Sequence, residues 1–494
     1  MNTTKIKLAI GALSLVTMTS CSKKLLNLNP SNEIALGESF TQVSDAQKWD
    51  AGMYASLRGN TYGQFIMATD IQADQLNATQ DYGNNYGGQH TWEGFTAGDY
   101  TISGEWSQYY SAIASIDVAI EGFAGIKPTN ATDSASLNQY LGDAYLARAY
   151  YFHQLVLRWA KAYDPSTAST DPGIPLTTKY DYTALPSRAT VADSYTQILS
   201  DITAARALLN GVTGSTGSKT FSQDAVLALE ARVKLCMQDW AGAKVAADSV
   251  IATGTYPLIS NQADFANIWA SDAGDESIVQ LNASQPQEVP ASENVYISFN
   301  SSTGFNDPLY MPAQWMVDLY DNADIRKTAY FLNGSVAIQD VEYDNVWVVN
   351  KFPGAPYLQT GTYSNYEQAP KIFRVAEDYL ISAEAAFQAG NTGAALTTLN
   401  QLRVARGTAA LGAVTLQDIM DERTRELAFE GFRLDDLKRW NLGFTRHGSQ
   451  NPNMLVGGAN YTGQTQPAGA PKFVWGLPTN DITLNKNLVQ NPGW

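Results

Sequence analysis

Residues 374–390, RVAEDYLISAEAAFQAG, run directly into residues 391–407, NTGAALTTLNQLRVARG. Both halves are built from residues that favour helix, and the Gly-Asn junction breaks them, so the stretch predicts a helix, a tight turn and a second helix. The pattern recurs upstream. Residues 223–240, QDAVLALEARVKLCMQDW, lead into residues 241–254, AGAKVAADSVIATG. Earlier still, Leu141, Tyr145, Ala149, Phe152, Val156 and Trp159 recur in steps of three and four along one helical face. Their partner begins at Thr190, an N-cap with Asp193 three residues on. Val191, Tyr195, Ile198, Ile202, Ala205 and Leu209 then keep an apolar stripe.

The first helix of each pair carries an alanine-rich core (LARAYYF, LEARVKL, SAEAAFQ), with small residues where two helices cross closely. This resembles degenerate tetratricopeptide repeats, and the resemblance implies a mainly α fold: a right-handed stack of helical hairpins in a single body. Each hairpin of such a stack buries its apolar face against its neighbours, so a long chain needs no obvious linkers. Two stretches break the pattern. Residues 60–104 read as an irregular loop, with six glycines between 83 and 104. Residues 256–366 read as a long irregular insertion, and their 17 Phe, Trp or Tyr among 111 residues argue against disorder.

At the N-terminus, Lys5 and Lys7 precede an apolar run from Leu8 to Met18, too short to span a membrane, and Thr19 and Ser20 lead into Cys21. The run reads as a secretory signal over residues 1–20, and the residues before Cys21 resemble the lipobox of bacterial lipoproteins. That resemblance implies acylation of Cys21 as the mature N-terminus, a polar tether over 21–35 and a folded body over 36–494. Cys236, the second of two cysteines, then has no disulfide partner and reads as a buried thiol on a helix. The chain carries 48 Asp and Glu against 32 Lys and Arg, a formal charge of -16 that loss of the signal deepens. Such a field repels phosphates, which excludes nucleic acid as a partner and favours neutral or cationic ligands.

Near the C-terminus stands DERTRELAFEGFRLDDLKRWN, residues 421–441, and the chain closes on GLPTNDITLNKNLVQNPGW, residues 476–494. Glu422, Arg423, Glu426, Leu427, Glu430, Gly431, Arg433, Asp436, Leu437, Arg439 and Trp440, with Pro478 and the closing Asn491, Pro492, Gly493 and Trp494, resemble the SusD/RagB family of outer-membrane nutrient-binding lipoproteins. The spacing itself predicts salt bridges on a helix surface: Glu422 with Arg425, Glu430 with Arg433, and Asp436 or Asp435 with Arg439. These charges read as structural rather than catalytic.

The resemblance implies a lipid-anchored protein on the outer membrane, facing the cell exterior. It captures an oligosaccharide or polysaccharide and passes it to a SusC-like TonB-dependent transporter. Sugar rings present C–H faces that lie on aromatic rings, and hydroxyls that need carboxylate or amide partners. The glycine-rich loop offers both, in Tyr82, Tyr86 and Trp92 interleaved with Asp81, Asn84, Asn85, Gln89 and His90. The aromatic-rich insertion adds Tyr296 and Trp315, with Asn294 and Asn300 as polar partners. Trp106, Tyr109 and Tyr110 read as core. A peptide or other nutrient in the same role is the alternative ligand, and a glycoside hydrolase is the rival class. The sequence contains no HExxH, GxSxG, GxxxxGK[ST] or Cys/His metal spacing, so neither a catalytic residue, a cofactor nor a metal is expected.

Overall fold

In the computed structural model, which describes residues 39–448, 450–456 and 464–494, helices dominate. The signal, Cys21 and the tether lie outside the described residues. Helix α1 (Val43–Gly59) and α2 (Gln64–Gln72) precede a three-residue strand, β1 (Leu76–Ala78), a short helix, α3 (Gly87–Thr91), and two long helices, α4 (Tyr100–Phe123) and α5 (Ala131–Trp159). A small hairpin, β2 (Pro172–Pro175) and β3 (Arg188–Thr190), leads to α6 (Val191–Leu208), which packs along α5.

The expected start of α6 holds. Thr190 Oγ1 accepts from the Asp193 N–H at 3.0 Å, and every residue of the Val191-to-Leu209 stripe is buried. The next pair is α7 (Gln223–Cys236) and α8 (Trp240–Ala252). Ala231, Ala243, Ala246, Ala247 and Ala385 fill the seam between this pair and the 374–407 hairpin, and side chains this small let the backbones approach closely.

Residues 256–366 are not irregular. Helix α9 (Gln262–Ala270) is followed by β4 (Ser277–Gln280), β5 (Phe299–Asn300), β6 (Phe305–Asn306) and β7 (Tyr310–Pro312). Then come α10 (Gln314–Asp318), α11 (Ile325–Tyr330) and a long hairpin, β8 (Phe331–Ile338) and β9 (Val341–Val349). Strands β5, β6, β8 and β9 form one sheet, and β8 pairs antiparallel with β9 from Phe331 opposite Val349 to Ile338 opposite Val341. Ile297, Met311, Val336, Ile338, Val346 and Val348 form its buried side. Strand β7 returns to β1, Leu76 opposite Pro312, which stitches the insertion to the 60–104 region. Strands β4 to β7 are only two to four residues long and carry no readable period, which is why the sequence shows only their aromatic content.

Strand β10 (Lys371–Arg374) pairs with β4 and opens α12 (Val375–Gln388), followed by α13 (Thr392–Ala405), α14 (Leu416–Glu426), α15 (Arg433–Arg439) and a last short helix, α16 (Thr479–Leu484). The charge inside each alanine-rich core turns inward to tie elements together. Arg148 on α5 reaches Asp201 on α6 and Asp117 on α4, each at 2.7 Å, and Arg232 on α7 reaches Glu377 on α12 at 2.6 Å. Glu384 on α12 receives Arg439 of α15 at 2.5 Å.

The C-terminal motif is a buried network rather than a helix surface. Glu426 accepts from Arg406, Arg374 and Arg326, all fully buried or nearly so. Arg406 also forks onto Glu276 at 2.7 Å through both of its terminal nitrogens. The pairs Glu422–Arg425 and Asp436–Arg439 form as expected, both at 2.7 Å. Two do not. Glu430 instead holds Lys351 and Arg374, Arg433 crosses to Asp74, and Asp435 meets Arg158. A buried charge takes the partner that tertiary packing brings nearest, whatever its sequence spacing.

Candidate functional site

The stretch from Thr79 to Asp99, read from the sequence as part of an irregular loop, packs tightly around the short helix α3. After β1, the Tyr82 N–H turns back to Thr79 O, and the Asn85 N–H to Tyr82 O at 3.0 Å. Asn84 and Tyr86 then adopt the left-handed conformation, with φ of 60° and 53°. At Gly87 a Cβ would lie 2.0 Å from Asn84 Oδ1, so a larger residue there would displace the Asn84 side chain from its place over the turn. Gly88 marks a close approach to the Phe95 backbone, 3.2 Å from where a Cβ would stand, whereas Gly94 faces open space.

This packing corrects four of the expected ligand contacts. Tyr86 is buried, Gln89 is buried and donates to Asp99 Oδ1 at 3.0 Å, and Trp92 is buried with its indole N–H on Gln72 O at 2.8 Å. Trp92 also sits edge-on to Phe473, ring centroids 5.0 Å apart. Tyr296 has no exposed surface. Its hydroxyl donates to Asp70 Oδ2 at 3.1 Å, and its ring stacks on Phe352. A ring enclosed on both faces has none left for a sugar. His90 is likewise interior: burial, reinforced by Arg446, keeps it neutral, with Nε2 accepting the Ala78 N–H. Trp106 and Tyr109 are core, as expected, and Tyr110 is half-buried against it. Cys236 is a half-buried thiol that burial pushes up to about 12, so it stays protonated.

The remaining expected residues reach the surface. Tyr82 is half-buried, edge-on to Tyr310 at 6.3 Å, and its hydroxyl lies 3.3 Å from Asn84 Oδ1. Asn84, Asn85 and Asn294 are exposed. Trp315 is half-buried on α10, with its indole N–H on Asp74 O at 3.3 Å and the Arg433 guanidinium over its ring. Asp81 reaches the β8–β9 turn, where it accepts the Gln339 backbone N–H at 2.7 Å and the Gln339 side-chain amide. Both turn residues, Gln339 and Asp340, have positive φ without being glycine, and the Asp81 carboxylate helps hold that turn.

Beside Asp81 lies Asp307, which partial burial, then the Asp81 charge, raises to about 6. Its Oδ1 has no hydrogen-bond partner among the described residues. Its backbone N–H bonds Ser298 O, next to Phe299. Phe299 and Tyr363 are 37% and 49% exposed, with ring centroids 4.8 Å apart and planes 34° apart. Tyr100 is also exposed at the near end of the loop.

One continuous face therefore runs from Tyr82 and the Asn84–Asn85 turn, through Asp81, Gln339 and Asp307, to Asn300, Phe299 and Tyr363. Sequence reading found the Asp81-to-Asn85 end and Asn300, and missed Phe299, Tyr363, Asp307 and Gln339. The available clue was an aromatic ring set among turn-forming polar residues, in SFNSSTGFND and TGTYSNYE. Chemically the face offers apolar rings beside carboxylate and amide acceptors, the combination that binds a polyol with C–H faces. Among the described residues no group of three or more His, Cys, Asp or Glu is placed to hold a metal ion.

Comparison with known proteins places this architecture. Residues 334–494 match the model of the SusD family, and residues 28–235 match one described as starch-binding associating with outer membrane. SusD-like protein P38 of Formosa agariphila is 24% identical, the alignment covering 97% of each chain. The starch-binding protein SusD of Bacteroides thetaiotaomicron is 36% identical over 25% of this chain and 21% of its own. A crystal structure of a SusD superfamily protein from the same organism superposes with a TM-score of 0.79 at 25% identity, covering 92% of this chain and all of that one. With its two ends matched by family models and its fold shared over nearly its whole length, the chain belongs to the SusD family.

Proposed function

We propose that this protein is a glycan-binding lipoprotein of the outer membrane, anchored through Cys21, that captures an oligosaccharide or polysaccharide outside the cell. It then passes the glycan to a SusC-like TonB-dependent transporter. The observation that carries the reading is the exposed Phe299–Tyr363 ring pair beside the Asp81, Asp307, Asn300 and Gln339 polar groups. Large exposed rings in a soluble body mark a surface that meets a partner. Starch binding by the relative from Bacteroides thetaiotaomicron, and the outer-membrane description of the family model, support the ligand class and the location. The acidic body favours a neutral glycan over a polyanionic one. Among the described residues no helix is long and apolar enough to cross a membrane.

The test is affinity electrophoresis against soluble polysaccharides, starch first, together with prolonged incubation followed by product analysis. Retention without turnover is expected. Phe299→Ala and Tyr363→Ala each weaken retention by about 0.5–1.5 kcal/mol, the usual worth of an aromatic contact. Trp92→Ala acts on stability instead. Retention that survives both ring substitutions moves the site off this face, and glycan turnover makes the protein a hydrolase. Co-purification with the transporter, and labelling by a palmitate analogue that Cys21→Ala abolishes, test the two remaining parts.

A further inference from the structure

A cleft of about 470 Å³ opens between α1, α4 and α5, and none of its lining residues belongs to the aromatic face. That volume lies within the roughly 300–1,000 Å³ of small-ligand sites. Trp49, Met53, Ile116, Ala119 and Phe123 give it apolar walls. Its polar lining is mostly committed elsewhere. Asp45 caps the start of α1, accepting from the Thr41 and Gln42 N–H groups and from Lys48, and Ser115 donates to Ser111 O at 3.0 Å.

Asp50 is the exception. It is nine-tenths buried, it lines the cleft, and its Oδ1 has no hydrogen-bond partner among the described residues. Behind it on α5 stands Asp143, fully buried, which accepts the Gln139 amide at 2.8 Å and faces Asp50 and the Tyr54 hydroxyl. Burial raises Asp50 to about 7 despite a hydrogen bond with Asp143, and burial together with the Asp50 charge raises Asp143 well above its ordinary value. Two acids this close cannot both ionise without cost, and with no cation paired to either among the described residues, the charge that forms at the floor of this apolar cleft favours a cationic partner.

We infer that the cleft binds an amphiphile with a primary ammonium head on an alkyl body, the ammonium donating to Asp50 and the alkyl chain lying on Trp49, Met53, Ile116 and Phe123. An ammonium brings three donors and the missing charge, and its hydrogen bond to a carboxylate is strong where water is excluded. A hydroxyl head brings one donor and no charge, and a carboxylate head is repelled. The alkyl body is held by burial of apolar surface.

Titration calorimetry of the full mature chain at neutral pH, with n-octylamine hydrochloride, 1-octanol and sodium octanoate, decides this. Octylammonium binds at least tenfold tighter than octanol, and octanoate gives no heat. Asp50→Asn brings octylammonium to the affinity of octanol. Ala119→Phe, which fills the cleft, abolishes both, and an unchanged circular dichroism spectrum and glycan retention certify the fold of each variant. Absence of heat with octylammonium, octanoate binding as tight as octylammonium, or Asp50→Asn with unchanged ammonium affinity overturns the assignment. So does binding that appears only when Ile34 and Leu36 are replaced by Ser, which assigns the cleft to the chain's own N-terminal residues.

Discussion

The side chains of Glu422, Glu426 and Glu430 are buried or nearly so, and so are those of Asp50, Asp70, Glu105 and Asp143, yet the two sets respond to burial in opposite directions. Burial alone pushes every one of them up. Around the C-terminal motif, Arg326, Arg425 and Arg403 overcome that push and hold Glu422 down to about 2, while Arg406 and Arg374 hold Glu426 well below its ordinary value. Among the described residues no guanidinium or ammonium group forms an ion pair with Asp50, Asp70, Glu105 or Asp143, and the cations that act on Asp70 and Glu105 do so without direct contact. Burial lifts Asp70 to about 7, against one hydrogen bond each from Tyr296 and the Gly431 N–H, and lifts Glu105 to about 8, only partly offset by Arg158. Both Glu105 oxygens lack a hydrogen-bond partner among the described residues. The same residue type thus clamps hairpins together in one region and sits as a proton-holding group in the other, and the neighbouring guanidinium makes the difference.

The sharpest way to break this contrast is Glu426→Gln, which removes the charge shared by three buried arginines. It costs about 3–5 kcal/mol of folding stability, the usual penalty for stranding buried charge, and urea denaturation measures it. A loss under about 1 kcal/mol would falsify the clamp.

Next in size is the pH dependence, whose sign differs between the sets. Glu422 is depressed, so its contribution is present above its ordinary value of 4.5 and is lost as pH falls towards about 2. Asp70 and Glu105 are raised, so theirs is full below 3.8 and 4.5 and is lost as pH rises through about 7 and about 8. Stability should therefore peak on the acid side of neutrality. Within its window each raised acid contributes a slope of up to about 1.4 kcal/mol per pH unit. Melting temperatures from pH 3 to 9 test this, and Glu105→Gln should flatten the alkaline limb alone. A curve that climbs steadily from pH 5 to 8 removes the unpaired set from the account.

The smallest effect belongs to the solvent-facing acids. Asp340→Gly relieves a positive φ in the β8–β9 turn and removes a charge near Asp307, and it should stabilise the protein by a few tenths of a kcal/mol in chemical denaturation. Measurable destabilisation would show that the Asp340 side chain holds the turn.

Much of the helical body was legible because its determinants are local. The Thr190 cap, the Val191-to-Leu209 stripe and the paired alanine-rich helices each rest on residues within a few turns of one another, and all three appear in the structure. The polar end of the candidate site, Asp81 to Asn85, was legible for a similar reason: turn-forming residues mark exposed backbone. The same reading failed for Tyr86, Trp92 and Tyr296, because an aromatic beside glycines looks alike whether it faces solvent or a neighbouring helix. Phe299 and Tyr363 lie 64 residues apart in the chain, and only the folded insertion brings their rings together.

By itself, then, the sequence determined the helical hairpins, their caps, the acidic balance and the motif that marks the family, since periodicity, capping and composition act over short distances. The tertiary structure alone decided which acids found an arginine, that Glu430 and Asp435 took partners other than Arg433 and Arg439, and which rings stayed in water. Those outcomes depend on burial and on partners distant in the chain, and the strength of a charge pair or the availability of a ring is set by what surrounds it.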